Sequence, residues 1–472
     1  MSEATPAAGK EVRVAVVGAG PAGLTAAFRL ARAGAAVTVL EAAPAVGGRT
    51  RTDLLDGCRI DVAAQLFGSV YTRFLRVLRD AGGAGLCERS SGRDALWRGG
   101  KAHEVVYGSP TSMLASGALP FGLKLRLGAH YLPYLHRHAD ALALDCLERA
   151  AAAGLDRESI AAWGEREVGG GFVDLLAAPL LQTLYGTTAD EASAGFYHAL
   201  ARQGMSLDVL ALRGGAGGFC DTLAGAVARA GGEVRTGAAV RELHADEAGV
   251  ELRGDGWSER FAAAVVALPA PAARALVQAV MPAAGEWLAG VEVRPTVTVA
   301  IALDRPVGAR WFGLSYARGE SRALAAVCSQ EAKLPENLPP GRGALLALPL
   351  PHAGPRLMDA TVEQAMDAIL PDLRKPFPGI EQRVRAVHLY RWEHAWTVFR
   401  TGSLHHLGRF LARGMETNPR IALAGDYLNA PNVEGAVISG LRAAERVLAG
   451  PGGRGVGRGG FIRPGAGRGP RP

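Results

Sequence analysis

Residues 12–40 constrain the fold more tightly than any other stretch. VRVAVV at 12–17 is a short β-branched run of the kind that forms a buried parallel strand. It leads into Gly18-Ala19-Gly20-Pro21-Ala22-Gly23 and then into a helical pattern to Ala33, with Leu24, Ala27, Phe28 and Ala31 on one face. Gly34 closes that helix and AVTVL at 36–40 supplies a second strand, which completes a βαβ unit. In GxGxxG the first glycine permits a tight turn, the second lets the backbone approach a pyrophosphate, and the third lets helix pack on strand. The positive end of the helix then faces the phosphates. With 63 glycines in the chain, the motif alone is weak. Its context is stronger: a strand before, a helix after, and Glu41 ending the second strand, where a carboxylate accepts from the ribose hydroxyls of an adenosine.

At 472 residues the chain exceeds a single core. Strand patterns able to join the first unit recur at 233–236, 265–268 and 421–424, whereas 110–205 is almost wholly helical. The expectation is an α/β protein: a discontinuous Rossmann-like dinucleotide domain with an inserted α+β substrate domain and a helical subdomain. The boundaries drawn are a flexible N-terminus at 1–11, dinucleotide-binding parts at 12–84, 206–285 and 415–449, substrate-domain parts at 85–109 and 286–414, a helical insertion at 110–205, and a disordered Gly/Pro/Arg tail at 450–472. Five arginines in that tail carry most of the net charge of +7, so the body is nearly neutral and nucleic acid is not expected as a partner. The five cysteines are scattered without a CxxC pair, which argues against a disulfide framework or a metal site. No apolar run reads as a secretory signal or a membrane span, and the expected location is cytoplasmic.

Six residues beyond Glu41 stand Gly47, Gly48 and Arg49, and beyond them Ile60-Asp61-Val62-Ala63-Ala64-Gln65. Near the other end come Ala424-Gly425-Asp426 and then Glu434-Gly435-Ala436 with Ser439-Gly440. In this order the sequence resembles the flavin-containing amine oxidase superfamily, which includes protoporphyrinogen oxidases and carotenoid desaturases. The resemblance covers residues 12–449, strongly at both ends and loosely between. It implies a dinucleotide domain of the GR2 type and FAD, held non-covalently. It also implies that Gly47, Gly48 and Arg49 line the pyrophosphate and flavin side, beyond the loop Gly18, Ala19, Gly20, Pro21, Ala22 and Gly23 and beyond Glu41, which the motif and its context assign to the pyrophosphate and the adenosine ribose. Ala63, Ala64, Gln65 and Leu66 would face the flavin, with Ala63 standing where the family often has glycine. Val240 would meet adenine through its main chain, with an ordinary core valine the equal alternative. Gly425 would admit the cofactor, Asp426 would reach a ribityl or phosphate-side hydroxyl, and the helix from Glu434, Gly435 and Ala436 would aim N–H groups at the flavin pyrimidine.

The substrate is approached by what is missing. Amine oxidases of the family carry a lysine near flavin N5, at a position that falls near Thr298; none of the five lysines lies in that strand. They also place an aromatic before Glu-Gly-Ala, where this chain has Asn432. The stretch 388–402, HLYRWEHAWTVFRTG, lacks the cysteine that carries covalent flavin in monoamine oxidases and resembles the RW…P…G segment of protoporphyrinogen oxidases, with Trp396 in place of the proline. The expected function is therefore dehydrogenation of a large apolar small molecule by hydride transfer to flavin, protoporphyrinogen oxidase-like, with oxygen or quinone as acceptor. A carotenoid or terpenoid desaturase is the alternative, an amine oxidase ranks lower, and a prenyl-chaperone-like binding protein is the non-enzyme reading. No catalytic acid or base is named, since the flavin itself accepts the hydride. Trp311, Phe312, Trp392 and Trp396 are candidate pocket walls, with core packing the plainer account of each. The apolar, mildly basic stretch 119–144 reads as a core helix pair, a cavity roof or a peripheral contact with a membrane.

Overall fold

The computed structural model describes residues 12–90, 93–106, 109–205 and 207–451. The expected flexible segment 1–11 and all but the first two residues of the expected tail lie outside them. β1 (Arg13–Val17) pairs in parallel with β2 (Ala36–Leu40) on one side and with Ala263–Val266 on the other. Glu233–Arg235 and Ile421–Leu423 extend this sheet to five parallel strands, so three distant stretches of chain build one layer. Val14, Val16, Val39 and Val265 are fully buried, the signature of parallel strands covered on both faces. Helix α1 (Pro21–Arg32) packs against Gly218–Arg229 and against the last helix, Val433–Ala449. At the second crossing a Cβ on Gly440 would sit 2.2 Å from the Ala22 carbonyl oxygen, so the two backbones meet directly.

A second sheet of seven strands runs in the order 384–397, 293–303, 343–349, 324–329, 313–316, 93–98, 101–106. Its longest pair is antiparallel, Val293–Leu303 with Val384–Thr397. The alternating pattern predicts a strand only to residue 390. It continues to Thr397, with Arg391 opposite Val297, Trp392 opposite Thr296 and Trp396 opposite Arg294. The helical spacing of Phe74, Leu75 and Leu78 predicts a helix over 66–81; it begins only at Thr72, as α2 (Thr72–Asp80), and Phe67–Gly68 instead pairs with Val209–Leu212. A small antiparallel sheet, 240–261, stands apart from both.

Residues 110–204 form a succession of short helices. At their centre His198 is wholly buried, its Nδ1 3.2 Å from the Tyr131 hydroxyl and its ring 4.3 Å from that of Trp163. Tyr134 and Tyr197 complete the enclosure. Burial, helped by nearby His138, pushes the His198 pKa down to about 3.

Candidate functional site

The signature residues from the two ends of the chain converge where β1 ends. Gly18 takes φ 100° and a Cβ there would lie 2.5 Å from the Ala267 oxygen, so the turn accepts only glycine. On Gly23 a Cβ would strike the Gly18 oxygen at 1.9 Å. Gly20 differs: a Cβ there meets nothing within 4 Å. It is also the N-cap of α1 and offers no side-chain cap, so the first-turn N–H groups of Ala22 and Gly23 face that opening. Gly47 donates its N–H to the Ala19 oxygen at 2.9 Å, which fastens the second glycine loop to the first. Pro21, at the first helical position, presets the backbone and removes a donor that has no intrahelical partner.

Glu41 lies beside this cradle, half-buried. Its carboxylate accepts from the main-chain N–H of Ala19 at 2.7 Å and of Ala43 at 2.9 Å. These bonds hold the carboxylate still, and its remaining lone pairs are open to hydroxyl donors. Gly237 and Ala238 donate to the carbonyls of Ala43 and Glu41, which brings the start of strand Val240–Ala245 alongside. Arg49 reaches the other way, to Asp426 at 3.0 Å and the Ala395 carbonyl at 2.9 Å. Asp426 also accepts from the Thr397 hydroxyl at 3.1 Å. Two protein donors therefore fix its carboxylate, as two fix that of Glu41. Gly425, whose N–H donates to the Ser439 hydroxyl, leaves room for the Tyr427 ring, 2.2 Å from where a Cβ would be.

The last helix begins at Val433. Asn432 caps it, accepting from the Gly435 N–H at 2.8 Å, and the Ala436 N–H is bonded to the Asn432 carbonyl. Gly435 is required because Ala430 presses on it; a Cβ would lie 2.1 Å from that carbonyl oxygen. Glu434 is buried and turned to α2, accepting from the N–H groups of Arg73 at 2.9 Å and Phe74 at 2.8 Å. It serves as a remote N-cap for a helix whose own cap residue, Tyr71, supplies none. Burial raises its pKa, although both N–H donors oppose the shift.

Ala63, Ala64 and Leu66 keep partial exposure in the segment after Asp61, while Gln65 is buried. The Gln65 amide donates to the Asp61 and Ala63 carbonyls and accepts from Gln330. Thr298 sits beneath, its hydroxyl donating to the Val62 carbonyl at 2.7 Å and accepting from Trp392 Nε1 at 3.1 Å. Arg51 lies over the rings of Tyr390 and Trp392. Trp396 is half-buried against Gly186 of the helical stretch. Trp311 and Phe312 are buried in the core of the large sheet, the plainer of the two accounts expected for them. Sequence reasoning passed over Lys333 and Gln330, both buried against this segment; a lysine followed by no recognisable motif gave no signal.

A groove of about 490 Å³ lies against another face of the last helix, bordered by Phe410, Leu428, Arg442 and Arg446. It is not the cradle of glycine loops. No cluster of potential metal ligands occurs among the described residues.

The profile of the flavin containing amine oxidoreductase family matches residues 21–448, nearly the whole chain. The chain belongs to this family. As a flavin containing amine oxidoreductase it is an FAD-dependent oxidoreductase by class, and its cradle suits the cofactor on geometry alone. There is an uncapped helix start beside a side-chain-free opening, and a fixed carboxylate at the end of the neighbouring strand. Putrescine oxidase of Kocuria rosea is 45% identical over 69 residues, 15% of this chain and 14% of that protein, so the match spans a small part of that relative's length. A solved structure of putrescine oxidase bound to putrescine superposes with a TM-score of 0.73 at 20% identity, over 93% of this chain and 99% of that one. A structure from Exiguobacterium sp. 255-15, assigned as a protoporphyrinogen oxidase, gives 0.72 at 19% identity over the same shares. At such identities these likenesses establish the fold.

Proposed function

We propose that this oxidoreductase dehydrogenates a large apolar substrate, with a porphyrinogen first and a terpenoid polyene second. The observation that carries the reading is Thr298. The amine-oxidase lysine would stand near it, and its hydroxyl is held between Val62 and Trp392, 3% exposed. The buried lysine nearest this region, Lys333, is occupied by Asp61. Asn432, in the place of an aromatic, is used as a helix cap. A protonated amine therefore finds neither the lysine nor that aromatic wall, whereas Trp392 and Trp396 offer flat apolar surface. In this reading the Gly18–Gly23 loop and the α1 start bind the pyrophosphate, and Glu41 binds the ribose. Gly47–Arg49 and Gly425–Asp426 close the cofactor's flank, and Ala63, Ala64 and Leu66 exclude water from the flavin face. FAD, when bound, supplies the hydride acceptor at N5.

The test is anaerobic mixing of the holoenzyme with a porphyrinogen, a carotenoid precursor and putrescine while the flavin absorbance is followed. Bleaching by the porphyrinogen, with porphyrin fluorescence appearing, is expected. Bleaching by putrescine alone would overturn the assignment.

A second reading concerns where the enzyme works. Leu114, Phe121, Leu125 and Leu132 are exposed, Phe121 by 80%. They share their stretch with Lys124, Arg126 and Arg137, and no acidic residue occurs between Glu104 and Asp140. No helix among the described residues is long and apolar enough to cross a membrane. Apolar tips rimmed by cations suit the surface of an anionic bilayer. Co-sedimentation with phosphatidylglycerol vesicles, lost in Phe121→Glu/Leu125→Glu, is expected; equal sedimentation of both proteins would reject it.

A further inference from the structure

The segment Asp61–Leu66 is gripped at both ends from across the molecule. Both grips come from the single turn Gln330–Lys333, which the Ser329 hydroxyl caps by accepting from the Ala332 N–H. Residues three apart leave a helix on one side. Here Lys333 Nζ pairs with Asp61 Oδ2, and Gln330 Nε2 donates to Gln65 Oε1 at 3.1 Å. All four side chains are buried: Asp61 at 3%, Gln65 at 7%, Gln330 and Lys333 at 4% exposure.

We infer that Lys333 and Gln330 are positioning residues that set the distance of Val62–Leu66 from the flavin, which rests on the cofactor reading of that segment given above. The rest of the wiring favours this over simple stabilisation. The other oxygen of Asp61 accepts from the Thr52 hydroxyl and from the Ala216 N–H at 2.7 Å. Thr52 in turn accepts from the Gly217 N–H at 2.9 Å. One carboxylate thereby fixes the strand after Arg49, the turn at Gly215–Gly217 and the substrate-side sheet relative to one another. Between the two grips the main chain is pinned as well: Val62 N–H to the Arg51 carbonyl, Val62 carbonyl to Thr298, Ala64 N–H to the Arg49 carbonyl. A buried ion pair contributes little net stability compared with an apolar pair of similar size, because desolvation offsets the attraction. What it gives is direction, and each direction here ends on the half-exposed residues Ala63, Ala64 and Leu66.

The experiment uses Gln330→Leu, Lys333→Met and the double variant Asp61→Asn/Lys333→Met, each compared with the wild-type apoprotein reconstituted with FAD. FAD affinity, the visible bands of the bound flavin and the melting temperature of the apoprotein are measured. A positioning role predicts FAD affinity lowered by roughly tenfold or more, the scale seen when supporting residues of a bound group are lost. It also predicts displaced flavin bands in Gln330→Leu and in the double variant, even where the double variant melts like the wild type. Flavin bands and affinity within about twofold of the wild type in both proteins, whatever their melting temperatures, would overturn the inference. Should Lys333→Met fail to fold, Gln330→Leu and the double variant decide the matter. A wild-type apoprotein that takes up no FAD defeats the cofactor reading itself, a result distinct from either.

Discussion

Two helices begin beyond the carboxyl ends of parallel strands of one sheet that flank Ala263–Val266, α1 at Pro21 and the last helix at Val433, and they pack on each other. Their first turns are built on opposite plans. The α1 start has no side-chain cap and opens on the empty side of Gly20. The other is closed by Asn432, and its one acid, Glu434, is lent to α2. The Asn432 cap takes the Gly435 N–H and leaves those of Val433 and Glu434, and α1, which opens with Pro21, likewise has two first-turn donors, Ala22 and Gly23; what differs is that a side chain stands at one mouth and none at the other. Both starts carry glycine-containing family signatures, so in the cofactor reading proposed above the motif marks proximity and not the kind of contact.

The sharpest test of this contrast is Gly20→Val. The residue has φ −79°, which any side chain adopts, and its Cβ meets no protein atom, so the apoprotein should lose only about 1 kcal/mol, for a poorer N-cap residue. FAD affinity should fall about 100-fold or more, or ~2.7 kcal/mol, because the new side chain stands where phosphate would lie. Retained affinity would place the pyrophosphate elsewhere. Glu41→Ala comes next, with FAD binding weakened by roughly 1–3 kcal/mol from unpaired hydroxyls, measured by fluorescence titration. Glu434→Gln should act on the fold instead. Loss of charge at the α2 start should cost about 1 kcal/mol in urea unfolding, with FAD affinity nearly unaltered. Asn432→Ala should cost about 0.5–1 kcal/mol of stability and change FAD affinity least of all. If Asn432→Ala released FAD as fully as Gly20→Val, the contrast between the two starts would be wrong.

The parallel sheet, α1 and the glycine loops were legible because their demands fall on the backbone, and the backbone writes them as fixed spacings. Gly18, Gly23 and Gly435 each occupy places where a Cβ would strike a main-chain oxygen. Side-chain destinations were not legible. Glu434 and Asp426 sit within signatures, yet their carboxylates go to α2 and to Arg49, partners more than 350 residues away in sequence. Spacing carries no record of such pairings. The strands at 313–316, 324–329 and 343–349 escaped notice for a related reason. The last two, LAAVCS and GALLALP, are buried apolar runs without the alternation that marks a half-exposed strand, and GLSY at 313–316 is only four residues long.

His198 gives the helical stretch a response to acid. An imidazole walled in by Tyr131, Tyr134, Trp163 and Tyr197 stays neutral in the folded chain down to about pH 3, whereas the unfolded chain binds its proton near pH 6.5. Its neutral form supports the fold fully above pH 6.5, and that support drains away as the pH falls from there toward 3. Across that window unfolding takes up one proton, and stability drops by about 1.4 kcal/mol per pH unit from this residue alone. Urea titrations at pH 7 and pH 5 should show the loss, and His198→Phe should flatten it. Acid tolerance is thus set in part inside the helical stretch, by a proton that only the unfolded chain takes up between pH 6.5 and about 3.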